Sequence, residues 1–121
     1  MTKQRPPNRG DIYWINPNPI AGREMKDQHR FVVISPKEIN ALGISITIPI
    51  TSGGKFSREM GLTVPIFGHD TIGLAICNQI RSFDIETRMK IGTAKYIETL
   101  DSAIVEEIIN RVISIIDPAD V

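Results

Sequence analysis

The stretch "ISITIPIT" (44–51) alternates apolar and polar residues without a break. Ile44, Ile46, Ile48 and Ile50 fall on one side, and Ser45, Thr47, Pro49 and Thr51 on the other. A repeat of two is that of extended chain, so the segment predicts a β-strand with its isoleucines against a core. The other side is expected to face water or line a groove. Pro49 has no N–H to give a neighbouring strand, which predicts an edge strand or a strand ending there.

Working outward, "QHRFVVISP" (28–36) holds the β-branched and aromatic run Phe31-Val32-Val33-Ile34, closed by Ser35-Pro36. It reads as a second buried strand. Further strands are expected at "GDIYWIN" (10–16), "LTVPI" (62–66), within "IGLAICNQI" (72–80) and near 90–95. In "LDSAIVEEIINRVISIID" (100–117), Leu100, Ile104, Val105, Ile108, Ile109, Val112, Ile113 and Ile116 recur at spacings of three and four. That is an amphipathic helix, with Asp101 as its N-cap and Pro118 beyond its end. Six or so short strands and a terminal helix predict an α+β, mainly β fold: a small, strongly curved sheet or barrel.

The chain has 121 residues, 41% of them apolar and 23% charged, which suits one globular domain with one core. Residues 1–9, with Lys3, Arg5, Arg9 and Pro6-Pro7, are expected to form a flexible basic arm, and residues 10–121 the single domain. No apolar h-region follows the basic start, so no secretory signal is expected, and no apolar run approaches the length of a membrane span. Cys77 is the one cysteine, which excludes an intrachain disulfide and a cysteine-based zinc site and suits a reducing cytoplasm. The net charge is zero, yet residues 1–61 hold nine Lys/Arg against five Asp/Glu, and residues 62–121 hold five against nine. Indiscriminate nucleic-acid binding is therefore not expected; a local basic surface built from the first half and charges spread over a solvated surface both fit the composition.

Few residues could carry chemistry. The chain has two histidines, His29 and His69, and no H-x-x-x-H, P-loop or G-x-G-x-x-G; neither a metal site nor a cofactor is expected. Cys77 lies in an apolar strand, where an inert buried thiol is the usual outcome. An imidazole pair could exchange protons near neutrality, but nothing in the sequence brings His29 and His69 together. Arg30, Thr51, Ser52 and Lys55 form a more pointed set. Each sits at a strand end beside the glycine-bearing loops 17–28 and 52–60. A guanidinium fork suits phosphate, and hydroxyls add bonds to its oxygens. A solvated arginine beside ordinary turn formers is the plainer alternative.

These motifs carry a resemblance. "RGDIYWINPNPIAGREMKDQHRFVVISP", "ALGISITIPITSGGKFSREMGLTVPI" and "GLAICNQIRSFDIETR" resemble, in order, the conserved blocks of PemK/MazF-type toxins, with P-I-T-x-G-G-x-F and N-Q-[VI]-R as in the ChpB-like branch. The resemblance runs from about residue 9 to residue 117. It implies a small SH3-like barrel that acts as a homodimer, cleaves single-stranded RNA at short sequences and is inhibited by a cognate antitoxin. It also implies catalytic roles for Arg30 and Thr51, and RNA contacts for Glu24, Ser52, Asn78 and Gln79. His29, Lys55 and Phe56 join the RNA-binding set from their places beside Arg30 and in the second loop, with Phe56 available for stacking. Departures from the family pattern are Met25 after Glu24, Phe31 after Arg30, and Ile76 with Asn78 where some relatives carry Arg-x-Asp. An amide at Asn78 can read a base but cannot shuttle protons.

The implied reaction needs no metal: the substrate's 2′-hydroxyl attacks the adjacent phosphorus, Arg30 stabilises the charge that builds up, and Thr51 holds a non-bridging oxygen. Two other readings use the same fold, a gyrase-poisoning toxin and a non-catalytic SH3-like binding module. The first would not need Arg30 with Thr51. The second predicts aromatic-lined grooves, which seven scattered aromatics fit poorly.

Overall fold

The computed structural model describes residues 5–17, 29–52 and 62–118. In chain order these form β1 (Asp11–Ile15), β2 (His29–Val33), α1 (Lys37–Asn40), β3 (Ser45–Thr51), β4 (Thr63–Phe67) and β5 (Ile72–Ile76). There follow β6 (Arg81–Phe83), α2 (Ile85–Lys90), β7 (Ala94–Thr99) and α3 (Ser102–Ile116). All strand pairs are antiparallel, in the order β4-β5-β3-β2-β1-β7, with β6 also paired to β3. The result is the mainly β, barrel-like α+β fold expected.

Strand β3 departs from the expectation of one buried and one open face. Ser45, Thr47, Pro49 and Thr51 are buried along with Ile48 and Ile50, while Ile44 and Ile46 are exposed. Both faces of the sheet are covered. On one, Ile12, Val32, Ile48, Ile50, Val64 and Ile66 meet Val105, Ile108 and Val112 of α3. On the other, Tyr13, Ile15, Phe31 and Val33 meet Phe83, Ile85 and Ala94, with the Phe31 and Phe83 rings edge to face at 5.0 Å. The hydroxyl of Thr47 is accommodated there by donating to the Arg81 carbonyl at 2.9 Å.

Pro49 is not at an edge. The Ile34 amide donates to the Ile46 carbonyl, and the Ile46 amide to the Ser35 hydroxyl, so the even-numbered residues of β3 turn their backbone groups toward β2. The odd-numbered residues then face the opposite side. There β6 pairs with Ser45 to Thr47, and β5 with Ile50 and Thr51. Pro49 falls in the gap between the two partners, where a missing N–H leaves no carbonyl orphaned.

Two local expectations change. The last strand is Ala94–Thr99 rather than 90–95, because α2 occupies the residues before it. Helix α2 is capped by Asp84, whose carboxylate accepts from the Thr87 amide at 3.0 Å and the Thr87 hydroxyl at 2.9 Å. Asp101 does precede α3, but it caps with its carbonyl, which accepts from the Ile104 and Val105 amides; its side chain makes no cap bond. Within the segment read as an arm, Arg5 donates to buried Asp11 at 2.8 Å, the Pro7 carbonyl accepts from Asn40, and Arg9 donates to the Ile34 carbonyl.

The turn between β4 and β5 is built around a carboxylate. Glu98 of β7, 8% exposed, accepts from the His69 amide through Oε1 and the Asp70 amide through Oε2, each at 2.8 Å. A Cβ on Gly68 would lie 2.7 Å from Glu98 Oε1, so residue 68 must lack a side chain for the carboxylate to sit there. Burial acts to raise the pKa of Glu98, but bonds from the Thr71 hydroxyl and these two amides outweigh it and hold the group below its ordinary value of 4.5.

Two stability predictions follow from this packing. Ile108 is fully buried, so Ile108→Asp should cost on the order of 4 kcal/mol, whereas Asn110→Asp on the exposed side of α3 should leave the melting temperature nearly unchanged. Equal effects in a thermal melt would misplace the buried face of the helix. For Glu98, a depressed folded pKa means that its contribution is complete above the unfolded value and is lost as pH falls through the folded one. The stability gap between wild type and Glu98→Gln should therefore be constant near neutrality and close on acidification below about pH 4.5. Parallel stability curves in urea titrations from about pH 6 to about pH 3 would contradict this.

Candidate functional site

Register places Trp14 opposite Arg30, and Arg30 opposite Ile50, so the three side chains form one row across β1, β2 and β3. The row lies on the face that carries Ile12, Val32 and Ile48, at the end where the apolar core gives out. There it borders a cavity of about 350 Å³ closed by His29, Ser52, Asp70, Thr71 and Ile72. Arginine at the mouth of an apolar strand is thus neither buried unpaired nor loose in solvent. It is half-buried, and Nη1 donates both to the Asp70 carbonyl and, at 2.7 Å, to the Thr71 hydroxyl.

The cavity wall combines the held cation of Arg30 and the polar residues His29, Ser52, Asp70 and Thr71 with the apolar residues Trp14, Ile50 and Ile72. Ile72 is exposed, as is Phe67 beside it in the β4–β5 pair. Such a site can hold an anion against Arg30 and an apolar ring beside it. Among the described residues, no group of three His, Cys, Asp or Glu is disposed to hold a metal ion.

Of the residues singled out in the sequence, Arg30, His29 and Ser52 are brought together on this cavity. Thr51 is one residue past Ile50, paired with Leu74, and buried; strand alternation turns its side chain to the face opposite Arg30. Its carbonyl packs so closely on Gly73 that any Cβ there would overlap it. Asn78 and Gln79 lie in the turn from β5 to β6, level with the middle of β3 and away from the cavity wall. Glu24, Lys55 and Phe56 lie outside the described residues. His69 borders a different hollow, with Glu98 and Asp101, so the two histidines do not share a site. Cys77 is fully buried, and burial pushes its thiol up to about 11, as an inert cysteine requires.

Sequence reasoning missed Trp14, Asp70, Thr71 and Glu98. Trp14 was visible only as a strand residue. The other three act on Arg30 or on one another across 28 to 41 residues of chain, and no local pattern signals that.

Comparison with known proteins gives a consistent result. Residues 8–116 match the family described as PemK-like, MazF-like toxin of type II toxin–antitoxin system. Over 120 residues the chain is 32% identical to the endoribonuclease toxin ChpB of Escherichia coli (strain K12), covering 97% of this chain and 100% of that one. Its fold is similar to the crystal structure of MazF from Deinococcus radiodurans, with a TM-score of 0.78 at 23% identity over 93% of this chain and 98% of that one. It is similar also to a chain of the MazE–MazF structure (Form-II) from that organism, with a TM-score of 0.75 at 23% identity over 96% and 100%. With a family match over most of its length and a curated relative above 30% identity, this chain belongs to the PemK-like, MazF-like toxins of type II toxin–antitoxin systems.

Proposed function

We propose that this toxin is a sequence-specific endoribonuclease that cuts single-stranded RNA in the cytoplasm as a homodimer, without a metal or cofactor. The observation that carries the proposal is Arg30, a guanidinium on a cavity wall gripped from behind by the Asp70 carbonyl and the Thr71 hydroxyl. A cation already oriented meets a phosphate with little reorganisation. ChpB is named an endoribonuclease toxin, which supports the same reaction here.

In that reaction the 2′-hydroxyl loses its proton and attacks the neighbouring phosphorus. The bond from phosphorus to the 5′-oxygen breaks, and that oxygen leaves with a proton. The products are a 2′,3′-cyclic phosphate and a 5′-hydroxyl. Arg30 neutralises the charge gathering on the non-bridging oxygens; an arginine stays protonated, so it works by charge rather than proton transfer. His29 borders the same cavity and adds a contact to RNA. Family resemblance assigns the hydroxyl that holds an oxygen to Thr51, whose side chain lies across the sheet from Arg30, whereas Ser52 borders the cavity itself. Trp14 and Ile72 offer apolar faces to a base, which is readable only when unstacked from a duplex. Family resemblance and sequence position add Glu24, Lys55, Phe56, Asn78 and Gln79 as RNA contacts.

Arg30→Ala and Thr51→Ala should each slow cleavage of a single-stranded RNA on the order of 10²-fold or more, with melting temperatures close to wild type. Arg30→Lys should restore little, since a point charge does not reproduce the fork. Full cutting by Thr51→Ala beside a dead Ser52→Ala would reassign the hydroxyl to Ser52. Cleavage should survive EDTA and stop when the nucleotide at the cut carries 2′-deoxyribose; cutting of that deoxy substrate would exclude the mechanism.

An endoribonuclease of similar fold from Mycobacterial species is solved in complex with its cognate antitoxin, and the same arrangement is proposed here. An acidic antitoxin segment would lay carboxylates on Arg30 and Lys55 and so exclude RNA. Its affinity should weaken from low to high salt, and a complex that still cuts RNA at the free toxin's rate would rule out this form of inhibition.

A further inference from the structure

Arg30 is held by a turn that itself borders the cavity, and that turn rests on a carboxylate that does not. Glu98 is almost fully buried, and its two oxygens are taken up by the His69 and Asp70 amides. The Thr71 oxygen in turn accepts from Arg30 at 2.7 Å, and the carbonyl of Asp70, whose amide Glu98 holds, is the guanidinium's other acceptor. The turn is closed by the Gly68 amide on the Thr71 carbonyl at 2.7 Å, and Gly68 has no side chain where the carboxylate rests.

From this geometry we propose that Glu98 and Thr71 are positioning residues for Arg30: Glu98 shapes the Gly68–Thr71 turn, and the turn sets the plane of the guanidinium that faces substrate. This deepens the ribonuclease function proposed above and rests on Arg30's role there. The physical reason is direct. A fork delivers its bidentate geometry only in the right plane, and an arginine side chain has enough rotamers to miss it unless held. The Thr71 oxygen and the Asp70 carbonyl accept from the same Nη1 of Arg30, and two acceptors on one nitrogen fix its direction. Glu98 does not line the cavity; it acts through two amides of the turn.

The test uses Thr71→Val, Thr71→Ser and Glu98→Gln in the full chain, followed by RNA cleavage, thermal melting and NMR of the arginine Nη protons. The Arg30 signal is assigned by its loss in Arg30→Ala. Thr71→Val should lower kcat on the order of 10- to 100-fold, as a displaced catalytic group does, with KM nearly unchanged. Thr71→Ser should recover most of the rate. In an Arg30→Ala background Thr71→Val should cost nothing more, because the residue it positions is gone. Held against rotation, the Arg30 Nη protons should be separate in wild type and Thr71→Ser, and merge in Thr71→Val and Glu98→Gln. Should Glu98→Gln fail to fold, the Thr71 pair decides. A Thr71→Val protein with wild-type kcat and an unchanged Arg30 signal overturns the proposal, as does an equal loss of rate with and without Arg30. If wild type cuts no RNA, the ribonuclease function fails on its own, and the Nη signals still decide whether the turn holds Arg30.

Discussion

Strand β3 must satisfy hydrogen bonding on both edges and packing on both faces, and the rest of the molecule is arranged around that demand. One edge is taken by β2 along its length, the other is divided between β6 and β5, and Pro49 stands at the division. Divided pairing has a geometric result. The start of β5 is brought to the end of β3, so the turn leading into β5 is carried over the outer end of β2, where Arg30 stands. The candidate site is thus a by-product of how the central strand finds its partners.

The acidic groups at the far end of β7 show how buried charge is made tolerable. Thr99 donates to Asp11, which also accepts from the Asn8 amide and Arg5, while its neighbour Glu98 gathers the amides of the β4–β5 turn. Two adjacent residues of one strand therefore secure two distant stretches of chain. Each carboxylate is buried with donors aimed at it, the condition under which a buried charge persists. Oxygen acceptors, more than apolar contact, tie these irregular segments to the sheet.

Legibility in the sequence tracked the range of the physics involved. Periodicity in 44–51 and 100–117 revealed β3 and α3 because both are long enough to repeat. It failed for α2, six residues long, whose one local sign was Asp84 three residues before Thr87. The polar residues of β3 misled because burial of Thr47 depends on the Arg81 carbonyl, a partner 34 residues away. At the site, strand-end position and the family resemblance both suggested Arg30 and Ser52, which border one cavity. Its orienting groups are set by a turn and by β7, which only tertiary structure brings near.

A second proline in a strand has the opposite meaning to Pro49. Among the described residues strand β4 ends the sheet, and Leu62 and Gly68, which flank it, direct their backbone groups toward the β5 segment through bonds with Cys77 and Thr71. By alternation Thr63, Pro65 and Phe67 direct theirs outward, and Pro65 removes the middle donor from that row. An extended peptide laid along this border would meet a carbonyl with no amide beside it, so growth of the sheet into a neighbouring molecule is disfavoured there. A protein whose exposed isoleucines and phenylalanine would otherwise favour self-association thus carries, in one ring-closed residue, a guard against fibrous aggregation.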